Sequence, residues 1–239
     1  MQNIDQIRKN EMLSHRQMYS STELYSGAGW LQRPIKTVLD IIPLFSEYEN
    51  LRVLDLGCGV GRNCIPFAQQ YNSIPCIIEG VDILDLAIEK LSQNAEKFGV
   101  EGSICGFVRA IEDYPIKENH YDLIMAVSAL EHIDSEVSFI NKLYEIERGT
   151  RRGGIVCLVI NSDVTERDVN TGDILPPQFE VNLSTEALQK VLADLFSDWS
   201  VLKNTVSKQC YETPRGDITA ELQTNVVTLV ARKNDNNFR

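Results

Sequence analysis

A chain of 239 residues, 43% hydrophobic and 24% charged, has the composition of one globular domain. Its 34 acidic against 23 basic residues leave a net charge of −11, which argues against a nucleic-acid backbone or an anionic membrane surface as partner. No run approaches the roughly 18 apolar residues of a membrane span. The N-terminus, Met1 to Asn10, is polar and lacks the apolar core of a signal peptide, so a cytoplasmic chain with a small-molecule ligand is expected. Six cysteines, at 58, 64, 76, 105, 157 and 210, show no C-x-x-C spacing, and only three histidines are present, so no metal ligand set is expected. The thiols read as reduced, small hydrophobic side chains.

Two helical segments open the chain, 3–20 and 34–46, the second started by Pro34. Between them lies the aromatic and glycine-rich stretch Tyr25 to Trp30. We read 1–48 as a helical cover, 49–233 as the main domain and 234–239 as a polar tail. Leu51 to Leu56 is a strand running into a glycine loop, and the helix after it places Pro66 near its first turn. Cys76 to Val81 is a second strand. The helix over 84–98 carries Leu84, Ala87, Ile88, Leu91, Ala95 and Phe98 on one stripe, ended by Gly99. Ile104 to Val108 and Tyr121 to Val127 are strands three and four. Asp134 is expected to cap a helix with Val137, Ile140, Leu143 and Tyr144 as its buried stripe. A fifth strand spans Ile155 to Ile160. Ser184 caps a helix presenting Leu188, Val191, Leu192, Leu195 and Phe196. Trp199 to Val206 and Asn225 to Ala231 are two strands with no helix between them, hence an antiparallel pair. Alternating strands and helices mean βαβ crossovers, so an α/β fold with a mostly parallel sheet covered on both faces.

The motif Val53-Leu-Asp55-Leu-Gly57-Cys58-Gly59-Val-Gly61 sits between strand and helix, where glycines let a ligand approach the backbone and free N–H groups face it. The dinucleotide fingerprint G-x-G-x-x-G would need glycine at position 62, which is Arg62. Asp55 at the strand end suits a cationic ligand such as S-adenosyl-L-methionine and would repel a diphosphate. Asp82 ends the second strand, 25 residues after Gly57, where a carboxylate can accept from ribose hydroxyls. It can equally cap the helix over 84–98, and the two roles are compatible.

With these residues the sequence resembles the class I S-adenosylmethionine-dependent methyltransferases from about 50 to 230. Val53 to Gly61 looks like their first motif, and Gly80-Val-Asp82 like their ribose-binding acid. Glu112 to Ile116 resembles the segment passing the adenine edge, Tyr121 to His132 the fourth strand and its exit, and Arg152-Gly-Gly154 the turn before strand five. The resemblance implies a Rossmann-like sheet of seven strands, order 3-2-1-4-5-7-6, with the last strand antiparallel. It implies that Gly57, Cys58 and Gly59 line the methionine end and that Asp82 takes the ribose, with Asp55 and Arg62 also among the cofactor-binding residues. Ile83 would pack on the adenine, Ile111 and Glu112 would border its edge, and Val127 would lie at the exit of strand four. Many members carry an acid two residues before Glu112; here that position is Ala110.

Methyl transfer from a sulfonium needs an aligned acceptor and a dry site more than a particular side chain. His132 is the histidine at the expected acceptor edge, a general base on one reading and a strand-end or cofactor contact on the other. Tyr19, Tyr25 and Trp30 can wall a pocket or simply pack. Arg62, Arg33, Arg167 and Arg215 can meet an anionic acceptor or solvent. Gly59 to Asn63 and the final third, from Ser184, are similar to the tellurite-resistance methyltransferases, which implies a tellurite- or selenite-type oxyanion as acceptor; an organic O- or N-acceptor is the alternative. That family's late His-Arg pair falls on Cys210-Tyr-Glu-Thr213 here. A nicotinamide oxidoreductase and a non-catalytic cofactor-binding scaffold are the remaining alternatives.

Overall fold

A computed structural model describes residues 4–27 and 29–235; Ala28 and the tail end, 236–239, lie outside the described residues. The helices are α1 Ile4–Ser21, α2 Lys36–Ile41, α3 Cys64–Gln70, α4 Asp85–Lys97, α5 Glu136–Gly149 and α6 Thr185–Leu195. The strands are β1 Leu51–Leu56, β2 Cys76–Asp82, β3 Ile104–Val108, β4 Tyr121–Val127, β5 Thr150–Asp168, β6 Ile174–Leu175, β7 Ser200–Arg215 and β8 Ile218–Arg232. They form one sheet of order β3-β2-β1-β4-β5-β8-β7, with β6 on the far end of β5. β1 runs parallel to β2 and β4, while β8 lies antiparallel between β5 and β7. The expected Rossmann-like order is therefore present, β8 being its antiparallel last strand.

The pleat divides the core. Val53 joins the layer of α2, α3 and α4, with Val38, Ile41, Ile65, Phe67 and Leu91. Leu54 and Leu56 join Phe139, Leu143, Ile146, Leu188 and Leu192 from α5 and α6 on the other face. Residues 24–45 contribute Leu24, Leu31, Val38 and Phe45 to the first layer, so this part of the expected cover is continuous with the core. α4 keeps its predicted stripe: Leu84, Ala87, Leu91 and Ala95 are buried. Gly99, at φ +68°, ends it, its N–H donating to Glu96 O and the next N–H, of Val100, to Ala95 O.

Several expectations change. Ser135, not Asp134, caps α5, its Oγ accepting from the Ser138 N–H at 3.2 Å. The buried stripe of α5 is Phe139, Leu143 and Ile146, whereas Val137 is 71% and Tyr144 50% exposed. The helix over 34–46 is α2 followed by a 3₁₀ turn, Ile42–Phe45, at Pro43. Arg152-Gly-Gly154 is not a free turn but part of β5. There the register with β4 shifts between Tyr121 and Leu123, and Gly153 takes φ +75°.

β5, β7 and β8 also run far past their predicted ends, and the excess pairs with itself: Asp168 meets Ala220, and Arg215 meets Ile218. This antiparallel wing projects beyond the last β4–β5 pair, Val127 with Val159, and carries its own small core of Val164, Phe179 and Leu222. The sequence there is polar and alternating, so only its apolar base reads as strand. Cys58, Cys64, Cys76 and Cys157 are buried free thiols, but Cys105 and Cys210 are exposed on the edge strands β3 and β7. No helix among the described residues is long and apolar enough to cross a membrane.

Phe67 is fully buried between Phe45 and Tyr71, with ring centroids 5.4 and 5.1 Å away. Phe67→Ala should lower the stability measured by urea unfolding by about 3–5 kcal/mol, the cost of an unfilled cavity in a close-packed layer.

Candidate active site

The glycine loop closes over the end of β2. The N–H groups of Gly57 and Cys58 both donate to Val81 O, at 2.8 and 3.0 Å. Asp82 completes the tie: Oδ2 accepts from Gly59 N–H and Oδ1 from Leu84 N–H, each at 2.9 Å. One carboxylate thus holds the loop and starts α4. Two glycines are fixed by space as well as by conformation. At Gly57, φ +72°, a Cβ would lie 2.3 Å from the Ala129 Cβ; at Gly59, φ +53°, it would lie 2.8 Å from the Tyr19 hydroxyl.

Beneath the loop, Asp55 is 1% exposed and its Oδ2 has no hydrogen-bond partner among the described residues. Burial raises its carboxyl to about 7, against the partial opposition of the Arg62 charge and a Cys64 hydrogen bond. Arg62 lies in the turn leading to α3. Its Nη1 donates to Trp30 O at 2.9 Å and its guanidinium stacks 4.8 Å from the Trp30 ring centre, while its Nε is buried and unpaired. Tyr25 donates to Arg62 O at 2.7 Å. Tyr25 and Trp30 thus brace Arg62. Among the described residues, the unpaired buried side-chain atoms around this loop are one carboxylate oxygen and one guanidinium nitrogen, a set that fits the ammonium and carboxylate of an amino acid. It does not fit a diphosphate.

α1 lies across this crevice. Arg8 Nη2 contacts Glu112 Oε1 at 2.7 Å and also donates to His132 O at 3.1 Å. Glu11 Oε2 reaches His132 Nδ1 at 2.5 Å, Arg16 pairs with Asp85 at 2.5 Å, and the buried Tyr19 covers Gly59. Glu112, Asp82, Gly59 and His132 are therefore brought along one groove, each touched by or next to α1. Ile83 and Ile111 are half-buried, and Val127 is buried at the β4 exit. Cys58 is buried, its Sγ 3.6 Å from Gly59 O.

His132 is held between two acids: Nδ1 lies 3.0 Å from Glu180 Oε2 as well as beside Glu11. Despite the cost of burial, those carboxylates raise its pKa well above the ordinary histidine value, so the ring is an imidazolium at neutral pH. In that form it has no lone pair with which to act as a base. Its ring stacks on Phe179 at 5.0 Å. Of the other arginines, Arg33 and Arg167 are exposed and Arg215 is paired with Glu166 at 2.8 Å in the wing. Sequence reading missed Arg8, Glu11 and Glu180, which are far from His132 along the chain. Glu131 stood beside His132 in the quoted motif; it is fully buried, and its Oε1 accepts from Asn161 N–H at 3.1 Å.

Residues 53–154 match the family model described as a methyltransferase domain. The chain is 24% identical over 162 residues to ajmaline N-methyltransferase of Rauvolfia serpentina, covering 67% of this chain and 51% of that protein. It is 28% identical over 130 residues to a ubiquinone biosynthesis O-methyltransferase of Maricaulis maris, covering 52% of this chain and 47% of that one. The matches thus span about half the length of these curated relatives. Among solved structures, TehB from Haemophilus influenzae shares the fold with a TM-score of 0.61 at 20% identity, over 83% of this chain and 62% of that one.

A folded-state pKa above the unfolded one means that ionising Asp55 destabilises the fold as pH rises from about 3.8 to about 7. Asp55→Asn should accordingly be more stable than the parent by a few kcal/mol at pH 8, the gap closing below about pH 4. Chemical denaturation across pH measures this, and a gap independent of pH would contradict it.

Proposed function

We propose that this chain transfers the methyl group of S-adenosylmethionine to a small-molecule acceptor. Residues 53–154 form a methyltransferase domain of Rossmann-like fold, and S-adenosylmethionine is its cofactor. The observation that carries the reading to this groove is the pairing of unpartnered buried atoms at the loop, Asp55 Oδ2 and Arg62 Nε, with Asp82 at the end of β2. The cofactor supplies an activated methyl group on a sulfonium. Asp82 holds the ribose: each of its oxygens accepts one backbone N–H and keeps a further lone pair for a hydroxyl. Gly57, Cys58 and Gly59 offer backbone to the methionine end. Asp55 Oδ2 faces the ammonium from beneath the loop, and Arg62 takes the carboxylate. Ile83 and Ile111 enclose the adenine, with Glu112 at its edge in place of the missing acid at Ala110. Tyr19 now covers Gly59, so the cofactor enters as α1 swings aside, and the returning helix excludes water.

The acceptor end favours a neutral or cationic organic molecule. Glu11, Glu131 and Glu180 cluster around His132, and the nearby cations are already committed, Arg8 to Glu112 and Glu180 and the imidazolium to Glu11 and Glu180. An oxyanion there meets more acid than base. The relatives named as N- and O-methyltransferases agree with this choice. A tellurite- or selenite-type oxyanion is the second reading, carried by the likeness of Gly59 to Asn63 and of the final third to the tellurite-resistance group. His132, as an imidazolium, positions the acceptor side rather than abstracting a proton.

Calorimetry with S-adenosylmethionine should show one site per chain, and a panel of amines, phenols and metalloid oxyanions should yield demethylated cofactor with an organic member. Turnover with tellurite or selenite alone would reverse the acceptor choice; tight binding with no product from any acceptor would reduce the chain to a cofactor-binding scaffold. Asp82→Asn should weaken cofactor binding about tenfold to a hundredfold, as expected for losing charge-assisted hydrogen bonds. Unchanged affinity in a folded variant would refute the ribose assignment.

A further inference from the structure

We propose that Glu11, His132 and Glu180 form a divalent-cation site that joins α1 to the exit of β4. The three side chains come from separate parts of the chain: α1, the turn after β4, and the segment before α6. One ligand atom from each lies within 4.8 Å of the others. His132 Nδ1 is 3.0 Å from Glu180 Oε2 and 2.5 Å from Glu11 Oε2. Two donors at right angles, each about 2.1 Å from a cation, lie about 3.0 Å apart. The Glu180 spacing already meets that condition, and Glu11 meets it after a small outward shift on a surface helix.

The site is built rather than incidental. Stacking on Phe179 fixes the His132 ring, and Glu180, whose side chain is 1% exposed, is steadied by Arg8 Nε at 3.6 Å from its other oxygen. Charge also balances. Once a cation displaces the His132 proton, Glu11, Glu112 and Glu180 against Arg8 leave two negative charges, which a dication cancels. One nitrogen and two carboxylate oxygens suit manganese, iron(II) or zinc better than calcium. The remaining coordination positions would take water. Because Glu11 belongs to α1, the cation also fastens that helix over the groove.

The test is a titration of the full chain with Mn²⁺, following free Mn²⁺ by electron paramagnetic resonance and heat by calorimetry. One Mn²⁺ per chain is expected, with a higher melting temperature when it is present. Glu180→Gln and His132→Gln should each weaken binding at least tenfold and abolish the thermal shift. Glu11→Gln, on the more accessible helix, should weaken binding too and serves if a core variant fails to fold. Absence of saturable Mn²⁺ binding, or binding unchanged in the three variants, would overturn the proposal. Variants that merely melt earlier, with no Mn²⁺ bound by the parent, would leave the trio a hydrogen-bonded clasp and overturn it equally. The readout is cation binding, so it stands or falls independently of methyl transfer.

Discussion

The groove depends on one carboxylate. Asp82 accepts from Gly59 N–H on one side and Leu84 N–H on the other, so the loop after β1 and the start of α4 are positioned by the same group. Besides that tie the loop is held by the two bonds from Gly57 and Cys58 to Val81 O and by Asn94 Nδ2, which donates to Val60 O at 2.9 Å. A ligand that uses the remaining lone pairs of Asp82 is thereby registered against the loop and the helix at once. On the proposed reading recognition and local folding share the same atoms, which is how a binding site becomes preorganised.

The polar economy of the groove follows from what lies above and below this tie. Asp55 is buried beneath the loop without a full complement of partners, while Arg62 is held from above by Trp30 and Tyr25. An unpaired buried charge costs the fold something, and a ligand of complementary charge recovers it on binding. The tightly packed layers on both faces of the sheet supply the rigidity that lets this strain persist.

Much of this was legible in the sequence, and the reason is periodicity. β1, β2, β3 and β4 are short and apolar, β1 running into Gly57 and β2 ending at Asp82, and α4 and α6 carry clean stripes, so element type and order followed directly. The loop glycines and Asp82 declared themselves because strand, turn and helix surrounded them. What could not be read was whatever depends on distant pairing. The wing of β5, β7 and β8 is stabilised by its neighbours rather than by apolar content, and its polar residues resemble a loop. α5 was rotated wrongly because Val137 and Phe139 both fit a stripe and only the packed partner decides between them. The trio of Glu11, His132 and Glu180 left no trace in spacing, since helix, turn and connecting segment meet only after folding.

The antiparallel wing has a consequence for how such a protein diversifies. It rises from the sheet edge as a ladder of paired residues, with its own small core leaning on Phe179 and thus on His132. Lengthening that ladder by two residues per strand keeps every side chain on its face and raises the wall beside the groove. A single inserted residue reverses inside and outside along the whole added length. The height of the wall can therefore vary in even steps, leaving the parallel sheet and its glycine loop untouched. In such an architecture, selectivity is inherited separately from chemistry.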